Sequence, residues 1–195
     1  MRAYFNQKAP SWDETVAEKD RAKLRRMAKR LNMKPGSTVL DVGAGTGVFL
    51  PFILDEIGQD GRLIALDFAE NMLRKARAKG FNGDIHYLQA NIANLPLRDN
   101  IFDAIICYSS FPHFQDKPRS IAEISRVIKS GGKLIICHTS SRTKINEIHH
   151  HIPAVENDTI PDKRQMQIML SAAGFTEIKI VDSNTSYLAT ARKAK

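Results

Sequence analysis

From about residue 37 to residue 139, apolar positions alternate between two rhythms. The short, nearly continuous apolar runs STVLDVG, RLIALD, DIHYLQA, FDAIICYS and KLIICHT read as buried strands. Between them, TGVFLPFILDEI, AENMLRKARAKG and RSIAEISRVIKSGG read as helices, the last two closed by glycine. Strands that alternate with helices and are apolar on both faces predict a parallel sheet covered on both sides, a doubly wound α/β fold. Ahead of this core, Val16, Leu24, Met27 and Leu31 fall near a 3.6 period, which predicts one helix from about Asp13 to Leu31, ended by Pro35-Gly36. Behind it, a helix around Asp162 to Ala173 precedes TEIKIVD and SYLATARK, joined by Ser183-Asn184-Thr185. So short a link allows only an antiparallel hairpin. The expectation is therefore a mostly parallel sheet of seven strands with an antiparallel last strand.

A chain of 195 residues, 43% of them hydrophobic, suits one domain spanning 1–195. Residues 1–34 are expected to form a helical cap, and the polar stretch 139–161 an insertion. No apolar run approaches the roughly 20 residues that span a bilayer, and the opening MRAYFNQKAPSWDE lacks a secretory signal, so a cytoplasmic protein is expected. Cys107 and Cys137 each sit inside an apolar run and read as inert core thiols. The formal charge of +8 invites a nucleic-acid partner. Its cations, however, fall mainly in KDRAKLRRMAKR and RKARAK, without interleaved aromatics, and solvated helix faces account for them.

The chemistry concentrates in LDVGAGTG, where an apolar strand delivers Asp41 and then Gly43, Gly45 and Gly47 at a strand-to-helix turn. Glycines there permit a tight turn and close approach of backbone to a ligand. The second strand ends in Asp67, placed to accept hydrogen bonds from the hydroxyls of a ribose. Dinucleotide-binding proteins share both features, but the spacing GAGTG lacks the third glycine of GxGxxG, so the ligand need not be a diphosphate.

Taken in order and spacing, LDVGAGTG, Asp67, QANIANLPL, FDAIICYSSFPHF and SRVIKSGGKLIIC resemble the class I S-adenosylmethionine-dependent methyltransferases. The opening YFNQKAPSWDE is similar to small-molecule members of the ubiquinone/menaquinone-biosynthesis type, and the terminal hairpin matches the family's antiparallel last strand. The resemblance implies that Asp41, Gly43, Ala44, Gly45 and Gly47 hold the methionine part and Asp67 the ribose. Phe68 and Met72 would then flank the adenine, and Asn91 and Ile92 would meet its edge. Many relatives carry aspartate at Asn91, whose side-chain oxygen can still accept from the adenine amino group. Cys107 and Tyr108 would line the methyl-donor end, largely through backbone. Met72 and Ile92 read equally well as core, and Phe68 as a cap on the sheet.

The implied activity is methyl transfer from S-adenosylmethionine to a small acceptor, leaving S-adenosylhomocysteine, with the acceptor atom open and no metal needed. Because a sulfonium methyl is already activated, the protein must chiefly align the acceptor and exclude water. A base is needed only where the acceptor must lose a proton, and His113 and His138, at carboxyl ends of strands, are the candidates. Tyr4, Phe5 and Trp12 are candidates for a lid, although Trp12 reads as well as helix packing. Phe111, Asn146 and His149 are candidates for an acceptor pocket, with His149-His150-His151 a remote candidate for metal. A nucleic-acid methyltransferase is the rival reading, yet Tyr108-Ser109-Ser110-Phe111-Pro112 stands where Asp or Asn, Pro-Pro and an aromatic would grip a flipped base. A non-catalytic S-adenosylmethionine-binding protein is the other.

Overall fold

The computed structural model describes residues 1–195. Seven strands form one sheet: β1 (Thr38–Val42), β2 (Arg62–Asp67), β3 (Asp84–Gln89), β4 (Phe102–Tyr108), β5 (Ile128–His138), β6 (Phe175–Ser183) and β7 (Ser186–Lys193). Their order is β3-β2-β1-β4-β5-β7-β6. All neighbours from β3 to β5 pair in parallel, whereas β7 runs antiparallel to both β5 and β6. The antiparallel last strand predicted from the hairpin is thus inserted between β5 and β6, leaving β6 at the edge.

Period-two alternation along the strands divides the apolar residues between two buried clusters of 23 and 21 residues, so both faces are covered nearly equally. Leu40, Ile105, Leu134 and Ile136 pack with α6 (Lys117–Val127) and α8 (Lys163–Ala172). Val39, Leu63, Ile106 and Ile135 pack with α3 (Arg21–Leu31) and α4 (Leu50–Ile57). Between β2 and β3, α5 (Glu70–Ala78) contributes Ala76 to this second face. The chain winds outward from β1 to β3 and then restarts at β4 on the other side of β1. That reversal opens a crevice beyond the carboxyl ends of β1 and β4.

Three helix boundaries differ from expectation. The single helix over Asp13–Leu31 is instead α2 (Trp12–Thr15) and α3, separated where the Asp20 carboxylate accepts from Lys23 N at 2.9 Å and starts a new helix. Before them, Arg2–Lys8 forms a further helix, α1. The helix expected from Thr46 begins only at Leu50, because residues 46–49 complete the glycine turn. The helix expected to run to Gly132 ends at Val127, and Ile128 already starts β5. Pairing jumps from Phe102↔Ile128 to Ala104↔Lys133, so the residues around Gly131-Gly132 bulge out of the ladder. The polar stretch 139–161 carries α7 (Arg142–His150), capped by Ser141.

Candidate active site

The glycine turn shapes the crevice. Gly43 and Gly45 have φ of 72° and 55°, values that strain a residue bearing Cβ. At Gly43 a Cβ would also sit 2.4 Å from Ser110 Cβ, so the strand-to-helix turn and the segment after β4 touch here. Gly45 N and Ala69 N donate to the two oxygens of Asp67, at 2.9 and 2.8 Å. These bonds fix the carboxylate at the end of β2, although burial raises its pKa. Asp41 lies deeper, 2% exposed, and its Oδ1 has no hydrogen-bond partner. Burial, reinforced by the Asp67 carboxylate, pushes its carboxyl up to about 8.

Two cavities meet at this turn. The first encloses about 840 Å³ up to its open mouth and is lined by Gly43, Gly45, Asp67, Phe68, Met72, Asn91 and Ile92 together with Phe5 and Trp12. The Asn91 side-chain oxygen accepts from Ala93 N at 3.0 Å, a local turn that fixes the loop after β3. The second encloses about 1330 Å³ and is lined by Ala44, Tyr4, Tyr108, His138, His149 and a run of aliphatic residues from α7 and the segment behind it. Phe5, Trp12, Gly43, Gly45, Ser109 and His113 border both.

His113 is therefore shared by the two spaces. Its Nδ1 lies 2.7 Å from Asp158 Oδ2, its ring 5.1 Å from that of Phe5 and 4.8 Å from that of His149. The His149 Nδ1 in turn sits 2.5 Å from the Asp158 backbone carbonyl. Asn71 donates to Asn6 twice, from its backbone N to Oδ1 at 2.9 Å and from its side-chain amide to the backbone carbonyl at 3.2 Å, tying α1 to α5. The Asp13 carboxylate meets Lys79 Nζ at 2.8 Å and accepts from the Thr46 hydroxyl, fastening α2 to the glycine turn.

Five residues do not stand where the sequence suggested. Asp41 is sealed within the fold and borders neither cavity. Gly47 turns away from the cavities, and a Cβ there would meet Phe81, Leu50 and Ala76, so it brings the turn close to α5. Cys107 is fully buried in the apolar cluster beneath β4, and Ser109 and Ser110 border the cavity instead. Phe111 is likewise withdrawn into that cluster by the tight 3-10 turn Phe111–His113. Asn146 points at Ile160, exchanging bonds of 3.1 and 2.8 Å with its backbone, and fastens the insertion without lining either cavity. Asp158 and Ser109 carried no sequence signal. Asp158 is 45 residues from its partner His113, and Ser109 shows itself only through its left-handed φ of 53°.

Residues 40–136 match the family model described as methyltransferase domain. A ubiquinone/menaquinone biosynthesis C-methyltransferase UbiE from Vibrio vulnificus is 30% identical over 181 residues, covering 79% of this chain and 67% of that protein. The chain belongs to the methyltransferase-domain family. A demethylmenaquinone methyltransferase from Staphylococcus saprophyticus is 29% identical over 182 residues, covering 80% of this chain and 77% of that protein. Other curated relatives extend further beyond the match, the chain spanning 50% of one from Shewanella piezotolerans. In fold, an S-adenosylmethionine-dependent methyltransferase from Aquifex aeolicus superposes with a TM-score of 0.75 at 23% identity, over 95% of this chain and 97% of that one. The protein is an S-adenosylmethionine-dependent methyltransferase of the seven-stranded Rossmann-like fold. No helix in it is long and apolar enough to cross a membrane.

Proposed function

We propose that the first cavity holds the cofactor and that the second holds an uncharged aromatic acceptor of the reduced-quinone kind, with His113 taking the acceptor's proton. The observation that carries this reading is the position of His113 between the two spaces, with Asp158 Oδ2 2.7 Å from its Nδ1. The acceptor class draws on the activities of the Vibrio and Staphylococcus relatives and on the second cavity's lining, which holds neither Lys nor Arg.

The residues present fit the cofactor. Asp67 faces the cavity with lone pairs left for ribose hydroxyls, and the glycine turn admits the amino-acid part without a Cβ in the way. Asp41 borders neither cavity, but an α-ammonium that reached its partnerless Oδ1 from the glycine turn would offset its burial. Phe68, Met72 and Ile92 supply apolar contact for adenine, and Asn91 its polar edge. Bound S-adenosylmethionine supplies a methyl group whose bond to sulfur breaks with the electron pair returning to sulfur.

The protein's part is alignment and proton removal. The aliphatic wall and the cap at residues 1–34 keep water from the junction. As a ring carbon of the acceptor bonds to the methyl, the free nitrogen of His113 takes the hydroxyl proton, and Asp158 stabilises the resulting imidazolium. As the ring proton leaves to solvent and aromaticity returns, the proton held by His113 goes back to the oxygen, so one proton is lost overall and the hydroxyl is restored. Residues 139–161 form the acceptor wall, and the working location is the cytoplasm, without a nucleic-acid partner. Calorimetry should detect binding of S-adenosylhomocysteine, and 1,4-naphthalenediol with methyl-labelled cofactor should give a ring-methylated product. Cofactor binding without any labelled product would leave only a binding protein.

A further inference from the structure

In the wall of the second cavity, His138 closes β5, 1% exposed, and neither its Nδ1 nor its Nε2 has a hydrogen-bond partner. Buried polar side chains are almost always paired, so an imidazole that lacks both partners marks a place where another molecule completes the network. The register explains its position. His138 lies opposite Tyr187 of β7, the rings are 6.3 Å apart, and the Tyr187 hydroxyl also has no partner. Leu134 and Ile136, at alternate positions of the same strand, enter the apolar cluster on that face, so His138 is a polar end to an apolar row.

The surroundings restrict what that other molecule is. Burial above all, and after it the neighbouring His113 and His149, push its pKa down to about 3, so the ring is neutral. A neutral imidazole offers one N–H donor and one bare acceptor. No Lys or Arg lines the cavity, and Glu18 at its edge is held by Lys23 at 3.1 Å and by Asp20 N at 3.0 Å. Ile145, Ile148, Ile152 and Val155 complete an aliphatic wall.

We infer that His138 is the specificity-determining residue for the methyl acceptor, binding an uncharged hydroxyl or carbonyl oxygen and discriminating against charged acceptors. This inference rests on the proposed use of the second cavity for the acceptor. A hydroxyl meets either nitrogen as donor or acceptor, and a carbonyl accepts from the N–H. A carboxylate would be buried without a cation, and an ammonium without a carboxylate, each at a cost larger than one hydrogen bond restores.

The test uses the full chain saturated with S-adenosylhomocysteine and four probes of similar shape: 1-naphthol, naphthalene, 1-naphthoate and 1-naphthylmethylammonium. Calorimetry should give 1-naphthol an affinity about tenfold above naphthalene, with both ions weaker still. His138→Phe should erase the advantage of naphthol over naphthalene, and His138→Asn should restore part of it, while S-adenosylhomocysteine binds all three proteins alike. In wild-type protein labelled with 15N-histidine, 1-naphthol should move the His138 ring resonances, a readout that needs no variant. Equal binding of naphthol and naphthalene, preference for an ion, no binding of any probe, or unmoved ring resonances would overturn the inference. Failure of S-adenosylhomocysteine itself to bind would instead strike the proposed function.

Discussion

Asp158 Oδ2 stands 2.7 Å from His113 Nδ1, and the two side chains are only 12% and 15% exposed, so the insertion after β5 reaches back to hold a ring that follows β4. Such a bond fixes the tautomer that leaves the far nitrogen bare, and it stabilises the imidazolium once a proton arrives. Asp158→Asn should therefore lower kcat by roughly tenfold to a hundredfold, part of the 10²–10⁴ that a positioned base supplies. Affinity for S-adenosylhomocysteine should stay unchanged, because Asp158 lines neither cavity. Steady-state kinetics with 1,4-naphthalenediol decide the matter, and a kcat equal to wild type would remove His113 from proton transfer.

Gly43 and Gly45 separate stability from binding. Gly43→Ala places a Cβ 2.4 Å from Ser110 Cβ at a φ of 72°, and backbone strain together with overpacking should cost about 2–5 kcal/mol. Gly45→Ala meets nothing within 4 Å, so only its φ of 55° is strained, at a cost of about 1 kcal/mol. The new methyl would nonetheless stand on a residue that lines both cavities. Denaturant unfolding should rank Gly43→Ala as the less stable, whereas calorimetry should show cofactor binding weakened at least about tenfold in Gly45→Ala. A well-bound cofactor in Gly45→Ala would mean that the turn does not enclose it.

Asp41 makes the cofactor-free protein sensitive to pH. Its carboxyl, raised to about 8 by burial and by Asp67, keeps a proton that the unfolded chain releases near pH ~3.9. Where the native state holds more protons, stability falls as pH rises, here from about pH 4 to about 8 at up to ~1.4 kcal/mol per pH unit. Above that window the slope disappears. Asp41→Asn should flatten the profile and leave the protein more stable near pH 8. If an α-ammonium settles beside Asp41, cofactor binding at pH 7 should also release a proton. Calorimetry in two buffers of different ionisation enthalpy measures that release, which should be absent in Asp41→Asn.

The elements visible in the sequence were those fixed by local pattern. The apolar runs gave β1 to β5, and the three-residue link Ser183-Asn184-Thr185 gave the hairpin of β6 and β7. Asp67 and the glycine turn were legible because backbone geometry demands those residue types at that spacing. The break before α3 was hidden because Val16, ahead of the Asp20 cap, falls near the same period that Leu24, Met27 and Leu31 keep behind it. The bulge at Gly131-Gly132 was hidden for a related reason, since a glycine pair marks a helix stop as readily as a strand irregularity. Asp158 was beyond reach altogether. Its meaning comes from contact with His113, 45 positions earlier, and nothing in between encodes that proximity locally.

Phe5 should govern how long the cofactor stays. Its ring lies 5.7 Å from that of Trp12, 5.8 Å from that of Phe68 and 5.1 Å from that of His113, so a single side chain of α1 borders both cavities. The apolar cluster to which it belongs holds only four buried residues, Phe5, Ala9, Ala69 and Met72, apart from the two large clusters of the sheet. Its loss should therefore open α1 locally without unfolding the sheet, because segments with few buried contacts open well below the global free energy. Phe5→Ala is expected to shift the denaturant midpoint little, to erase hydrogen-exchange protection in Arg2–Lys8, and to speed release of S-adenosylhomocysteine by about tenfold in stopped-flow displacement. A fall in stability of about 3–5 kcal/mol, the usual cost of truncating a core phenylalanine, with unchanged release would make α1 part of the core and not a cap.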